Sequence, residues 1–370
     1  MFAKALLLLL TTAFYATDRS LVAGTTTPDP ASLVTRDGQA AFQPLTLVDS
    51  NWVWTGEEVS PGGGAPAGPR PFRFTIPRNE DKCAVCATIL IATDDLHTLY
   101  VNGAEIGSGA SYTSAQVYTV GLKRKSKNVI AINATNTGGP AGMIATVLVD
   151  YSDDSTETFV TDASWKTLKS VPPSEFANPR LDDSSWIPAS EEGKDGVDPW
   201  HQTSLPPVLD ITQSNWIWTS ETDSAGNAPI GHRAFRKTIT SPTGKCAVCA
   251  KVVLTVDNAY TVYANGESLG SGTDFHTAQA YSVPQLRSDW NVFALDGENT
   301  GGPAAAIATI LVAYNDGTST SYITDSSWKA SEGLPEEFQS PGSDDSEWSD
   351  ATVLGKYGVA PWGDVSVPPA

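Results

Sequence analysis

The chain is poor in cysteine, histidine and positive charge. It has four cysteines and four histidines in 370 residues, and 23 Lys and Arg against 42 Asp and Glu, a formal net charge of −19. Such an acidic balance argues against nucleic acid and anionic membrane surfaces as partners. Past the N-terminus no apolar run is long enough to span a bilayer. No amphipathic helix stands out and no HExxH pair is present, and the GxSxG spacing at Gly266 to Gly270 falls at the Asn265-Gly266 turn between strands, not at a strand-to-helix elbow. Glycoside hydrolysis needs two carboxylates flanking a bond. Asp182-Asp183 and Asp344-Asp345 are instead adjacent and read as turn residues ahead of a tryptophan. A catalytic role is therefore not expected.

What is there begins with a targeting pattern. Lys4 precedes the apolar run Ala5 to Leu10, and small residues follow at Thr11 to Ala13. That order is a secretory signal peptide, assigned to residues 1–24, with cleavage after Ala13, Ala16 or Ala23. Residues 25–44 lack periodicity and read as a flexible N-terminus. A secreted, extracellular location gives meaning to the sequon Asn133-Ala134-Thr135, where strand alternation with Ile130 and Ile132 turns Asn133 outward as a glycosylation acceptor. The cysteines form two CAVC pairs, Cys83/Cys86 and Cys246/Cys249. Oxidation favours disulfides, and the leading expectation is that each pair closes on itself. Other pairings and a metal or redox role remain as alternatives. Redox CxxC motifs open helices, whereas here ATILIAT and AKVVLTV read as strands.

The chain is written twice. SNWVWT at Ser50–Thr55 returns as SNWIWT at Ser214–Thr219, and KCAVCA, YVNG/YANG, NTGGPA, TDASWK/TDSSWK and DDSSW/DDSEW recur in the same order. So long a period means two tandem domains, 45–206 and 207–370, joined by a short proline-containing linker whose Pro-Pro reappears in VPPA. Each unit reads as short alternating strands with turn signals, among them Asn102-Gly103 and Asn265-Gly266 as two-residue hairpin turns. The fold class is all-β, with two tandem antiparallel jelly-roll sandwiches. Ten of the eleven tryptophans pair between copies. Trp52 and Trp54, two apart, would share a strand face and read as core, whereas the unpaired Trp290 reads as exposed.

The ordered run WVWT, FR, LYVNG, NVIAI, TDASWK and DDSSW resembles the non-catalytic β-sandwich domains attached to α-L-rhamnosidases, which are galactose-binding-domain-like jelly rolls. The resemblance covers each repeat almost end to end and implies two such domains without the enzymes' catalytic barrel. The arrangement looks like that of a secreted, lectin-like fungal protein.

Strand direction locates a candidate site. Alternating up and down strands bring three loops to one end of each sandwich. In the first copy these hold Asp94-Asp95, the SGASY stretch with Tyr112, and Asn136-Thr137-Gly138-Gly139. In the second they hold Asp257-Asn258, Asp274-Phe275, and Asn299-Thr300-Gly301-Gly302. Asparagine, threonine and aspartate suit sugar hydroxyls, the glycines let backbone approach a ligand, and Tyr112 and Phe275 offer flat faces. The same loop oxygens are compatible with calcium, and no other cofactor is expected. NTGGP also reads as a plain tight turn. His97 aligns with Tyr260 and His276 with Thr113, so no histidine recurs as a site residue. The expectation is a bivalent, non-catalytic binder of glycans or polysaccharide. A self-associating cell-surface protein and a glycosidase with an unrecognised site are the alternatives.

Overall fold

The computed structural model describes residues 44–60, 64–224 and 226–370. The signal-peptide assignment, and all but the last residue of the 25–44 segment, lie outside them. Among the described residues every regular element is a strand, and the ladders between named strands are antiparallel. The chain is a pair of β-sandwiches of the jelly-roll kind. In the first copy, Ala84–Val101 turns a corner and serves both faces. Its Ala84–Asp94 part pairs with Gly142–Tyr151, and its Leu96–Val101 part pairs with Asn128–Asn136. In the second copy the equivalent strand breaks into Ala247–Asp257 and Ala259–Ala264, leaving two six-stranded sheets. The Asn-Gly hairpins form as expected: Asn102, Gly103, Asn265 and Gly266 all have positive φ (54°, 88°, 52° and 95°).

Gly142–Tyr151 is buried along its whole length, because each of its faces meets a different apolar cluster. Met143, Ala145, Val147 and Val149 face the sandwich core with Ile89, Ile132, Trp54 and Trp165. Ile144 and Leu148 face a satellite cluster with Leu45, Trp52, Leu90 and Trp200. Each of these valine, isoleucine, leucine and methionine side chains contributes about 1.5–3 kcal/mol when removed from water, and Ala145 less. Trp52 and Trp54 are both buried, yet in different clusters. The register against Ser190–Lys194 shifts between Trp52 and Val53, so the shared face expected from spacing is lost.

The outer face of the other sheet is covered by an irregular strap. Phe176 and Trp186 pack on Ala131 and Tyr100. Arg73 reaches out from Gly68–Ile76 to the Asp183 carboxylate at 2.9 Å and to the carbonyls of Phe176 and Asn178. Arg236 repeats this with Asp345 (2.7 Å), Phe338 and Ser340. Asp182 and Asp344 each accept from the backbone two residues on, at 3.0 Å. The DDSSW and DDSEW motifs are thus strap fasteners, as their turn reading implied.

The expected cysteine pairing is overturned. Cys86 is bonded to Cys249, its own counterpart 163 residues away, and Cys83 and Cys246 are free. Cys86 sits inside a strand that begins just after Cys83. Three residues of near-extended chain span roughly 10 Å, beyond the ~7 Å Cα separation a disulfide can bridge. The Cys86 and Cys249 Cα atoms are 6.2 Å apart. Val85, Val248 and Ala313 pack around the bond. Beside it, Lys251 faces Asp150 across the copies at 3.5 Å, both almost fully buried, and donates to Ser282 at 2.6 Å. The two Pro-Pro segments also meet, with Pro207 opposite Pro369. Ala370 is fully buried in the first copy's satellite cluster, where its N–H donates to the Pro206 carbonyl at 3.0 Å.

Candidate functional site

The loops do converge. Thr93 pairs with Ser111, Asp94 with Gly142 and Leu96 with Thr135, so the Asp94-Asp95 corner lies between the SGASY stretch and the NTGGP loop. Side-chain hydrogen bonds then tie corner to loop. One Asp95 carboxylate oxygen accepts from both the Thr137 N–H and its hydroxyl, each at 2.7 Å. In the second copy the Asn258 amide oxygen accepts from the Thr300 N–H at 2.8 Å. The Asp94–Asp95 and Asp257–Asn258 peptide bonds are both cis.

Asp94 and Asp257 point the other way, into the protein. Each accepts from an indole N–H, Trp200 at 2.9 Å and Trp362 at 3.0 Å. Those indoles stack on Trp52 and Trp216, with ring centroids 4.8 and 5.1 Å apart. Burial pushes both carboxyls above their ordinary value, and the indole hydrogen bonds oppose that shift only in part. Gly142 is required here, since a Cβ on it would stand 2.8 Å from the Trp200 ring and 2.9 Å from Trp52.

Asn136 and Asn299 are 1% and 0% exposed, and their amides are used inside the protein. Asn136 donates to the Ala65 carbonyl at 2.9 Å and accepts from the Gly138 N–H at 2.9 Å. Asn299 does the same with Ala228 (2.8 Å) and Gly301 (2.9 Å). They therefore shape the loop and do not present hydrogen-bonding groups at its surface. What the loop presents is Thr137, Gly138 and Gly139, all exposed, and their counterparts Thr300 and Gly301, with Gly302 half-buried. Gly138 and Gly301 have φ of 144° and 147°. Nothing lies within 4 Å of where a side chain on any of the four glycines would stand. The result is an open backbone surface, which glycine alone permits.

The third loop differs from its expectation. In the first copy SGASY lies within the continuous strand Ala104–Gly121. Tyr112 and Phe275 are half-buried against the satellite clusters that hold the stacked tryptophans. Phe275 also stacks on His276, with centroids 3.9 Å apart, while Asp274 is exposed and accepts from the His276 N–H at 2.9 Å. The two ends are thus similar in shape but not in charge. The first has Asp95, Ser111 and Thr113 where the second has Asn258, Asp274 and His276. Among the described residues no group of three or more His, Cys, Asp or Glu is placed to hold a metal ion.

An ion pair beside each loop was not among the site residues expected from the sequence. Arg70 pairs with Glu57 at 2.6 Å and Arg233 with Glu221 at 2.5 Å, close to Gly68 and Gly231, which lie opposite Asn136 and Asn299. The Arg70 hydrogen bond holds the Glu57 carboxyl below its usual range. The recurrence of a glutamate two residues after Thr55 and Thr219 was the available signal. Asn133 is half-buried on the outer face of its strand, opposite Pro71 and Thr98; Asp296, hydrogen-bonded to His232 at 2.9 Å, takes its place in the second copy.

No family model matches the chain. A lectin from Pleurotus ostreatus, solved in complex with GalNAc, is 46% identical with a TM-score of 0.83, covering 90% of this chain and 98% of that one. The chain belongs to the family of that lectin. Its apo form gives the same identity and a TM-score of 0.84, over 90% of this chain and 97% of that one. An α-L-rhamnosidase from Streptomyces avermitilis is 26% identical over 334 residues, 80% of this chain. The match spans only 29% of that enzyme's length. For this member of the lectin family, then, likeness to the Pleurotus protein covers nine-tenths of this chain and nearly all of that one, and likeness to the enzyme is to a part of it.

Proposed function

We propose that the protein is a secreted, non-catalytic lectin that binds GalNAc or a closely related sugar at the loop end of each copy. The observation that carries this reading is 46% identity across 98% of a lectin whose solved complex holds GalNAc. The geometry supports it in three ways. The glycine pair offers bare backbone for van der Waals contact with a sugar ring. The exposed Thr137 and Thr300 offer hydroxyls beside it. The buried Asn136 and Asn299 amides hold the loop in one shape, so little entropy is lost on binding. Two such ends in one rigid, disulfide-linked body favour glycan surfaces over single sugars through effective concentration. A glycan on Asn133 would stand near the first end and leave the second freer.

The test places a charge on the open face. Thr137→Glu and Thr300→Glu alter exposed side chains, so the fold should survive. Each should weaken retention on immobilised GalNAc, and the pair should abolish it. Undiminished retention in the folded double variant would sink the reading.

A further inference from the structure

A second feature lies at the end of the first copy away from these loops. The Asn102-Gly103 hairpin, the turn at residues 122–128 and the strap surround a cleft of about 760 Å³, lined by Tyr100, Asn102, Lys123, Lys127, Phe176 and Arg180. Arg124 and Lys125 stand on the same turn, and all five cationic side chains are exposed. In a chain of net charge −19 this is a local reversal of sign. Among the described residues, the Lys and Arg salt bridges of this copy use Arg70, Arg73 and Lys166, and none of these five. Three carboxylates are near. Glu175, on the rim, accepts from Asn178 at 3.1 Å. Glu105 lies beside Tyr100. Asp183, which feels the field of Lys127, is already held by Arg73.

The fold does not need these charges. In the second copy the turn is built on the same clamp, with Asn265 donating to Asn291 at 2.8 Å as Asn102 does to Asn128 at 2.8 Å. Yet Lys123, Lys125, Lys127 and Arg180 are replaced there by Leu286, Ser288, Trp290 and Gly342. The one retained cation, Arg287, lies over the Trp290 ring at 4.5 Å, which leaves that indole half-buried instead of exposed. The first copy alone therefore holds a concave surface with at least three unpaired cationic heads, and beside them the edge of Tyr100.

We propose that this cleft is a separate subsite for acidic saccharide, taking the sulfate or carboxylate groups of an anionic polysaccharide. Lys123, Lys127 and Arg180 supply the charge, with Arg180 able to hold either group in a two-pronged contact. Tyr100 supplies a flat face for the ring that carries the group. Neutral GalNAc has no use for such a cleft, so the two kinds of site act independently.

The full chain should bind dextran sulfate or polygalacturonate at low salt and should not bind neutral dextran. The polymer bound more tightly identifies sulfate or carboxylate as the preferred group. Lys123→Gln/Lys127→Gln/Arg180→Gln should weaken that binding by about tenfold or more and flatten its salt dependence. A control with equal charge loss elsewhere, Lys169→Gln/Lys194→Gln/Lys356→Gln, should leave binding within about twofold of the parent, since screening isolates distant charges. Retention on GalNAc, read on the same proteins, should not change, so failure here and failure of the loop site are separately visible. Absence of binding to both acidic polymers overturns the proposal. So does an equal loss in the control, or equally tight binding of single-stranded DNA of matched charge.

Discussion

Replacing Asn299 by alanine tests whether that amide holds its loop in place. The side chain is fully buried, donates to the Ala228 carbonyl at 2.8 Å and accepts from the Gly301 N–H at 2.9 Å. Each bond contributes about 1 kcal/mol net, and a buried carbonyl left without a donor adds about 1 kcal/mol or more. The expected loss in the second copy is about 2–4 kcal/mol. Asn299→Asp is the sharper probe. It keeps an acceptor for Gly301 but turns a carboxylate toward the carbonyls of Ala228 and Pro229. Burial and those carbonyls raise its folded pKa above the unfolded value of about 3.9. The folded state then holds the proton longer, so the variant is least impaired at acid pH and loses stability as pH rises through the folded value. Urea unfolding followed by tryptophan fluorescence, across a pH series, reads both. Asn136→Ala should behave alike in the first copy. An Asn299→Ala protein within about 0.5 kcal/mol of the parent, or an Asn299→Asp protein no worse at neutral than at acid pH, would refute the reasoning.

Non-reducing peptide mapping should join Cys86 to Cys249 and find Cys83 and Cys246 alkylated; loss of the bond in Cys86→Ser/Cys249→Ser frees a loop of 163 residues, worth up to about 5 kcal/mol by chain entropy, and recovery of a Cys83–Cys86 peptide would refute the pairing. The raised carboxyls of Asp94 and Asp257 make stability fullest below the ordinary value of 3.8, with loss as pH climbs through their folded values. Asp94→Asn/Asp257→Asn keeps an acceptor for each indole and should flatten that slope, and an unchanged slope would count against it. Buried His97 is depressed to about 4, so its contribution to stability is lost as pH falls from its unfolded value toward that figure; an imidazole NMR titration placing its midpoint near 6.5 would contradict this.

Much of the fold was legible because its signals are local. Alternation marks strands, Asn-Gly marks two-residue hairpins, and counting strand directions brings three loops to one end. What was not legible depended on relations across space. Nothing in CAVC says that Cys86 meets its own counterpart, because that follows from how one copy docks on the other. Nothing in spacing says that a register shift sends Trp52 and Trp54 to separate clusters, or that Ala370 fills a gap beside Leu45. The asparagine of NTGGP is the most instructive case. Its chemistry suits a sugar hydroxyl and a loop scaffold equally well, and only the Ala65 and Ala228 carbonyls, 71 residues away in each copy, assign it to the scaffold.

The most direct measurement is a crystal of the full chain soaked with GalNAc. The account predicts sugar density at the loop end of one or both copies, against Thr137 to Gly139 and Thr300 to Gly302, with Asn136 and Asn299 still bonded to Ala65 and Ala228. Density confined to another surface, or none at saturating sugar in crystals whose loop ends are free of lattice contacts, would contradict it.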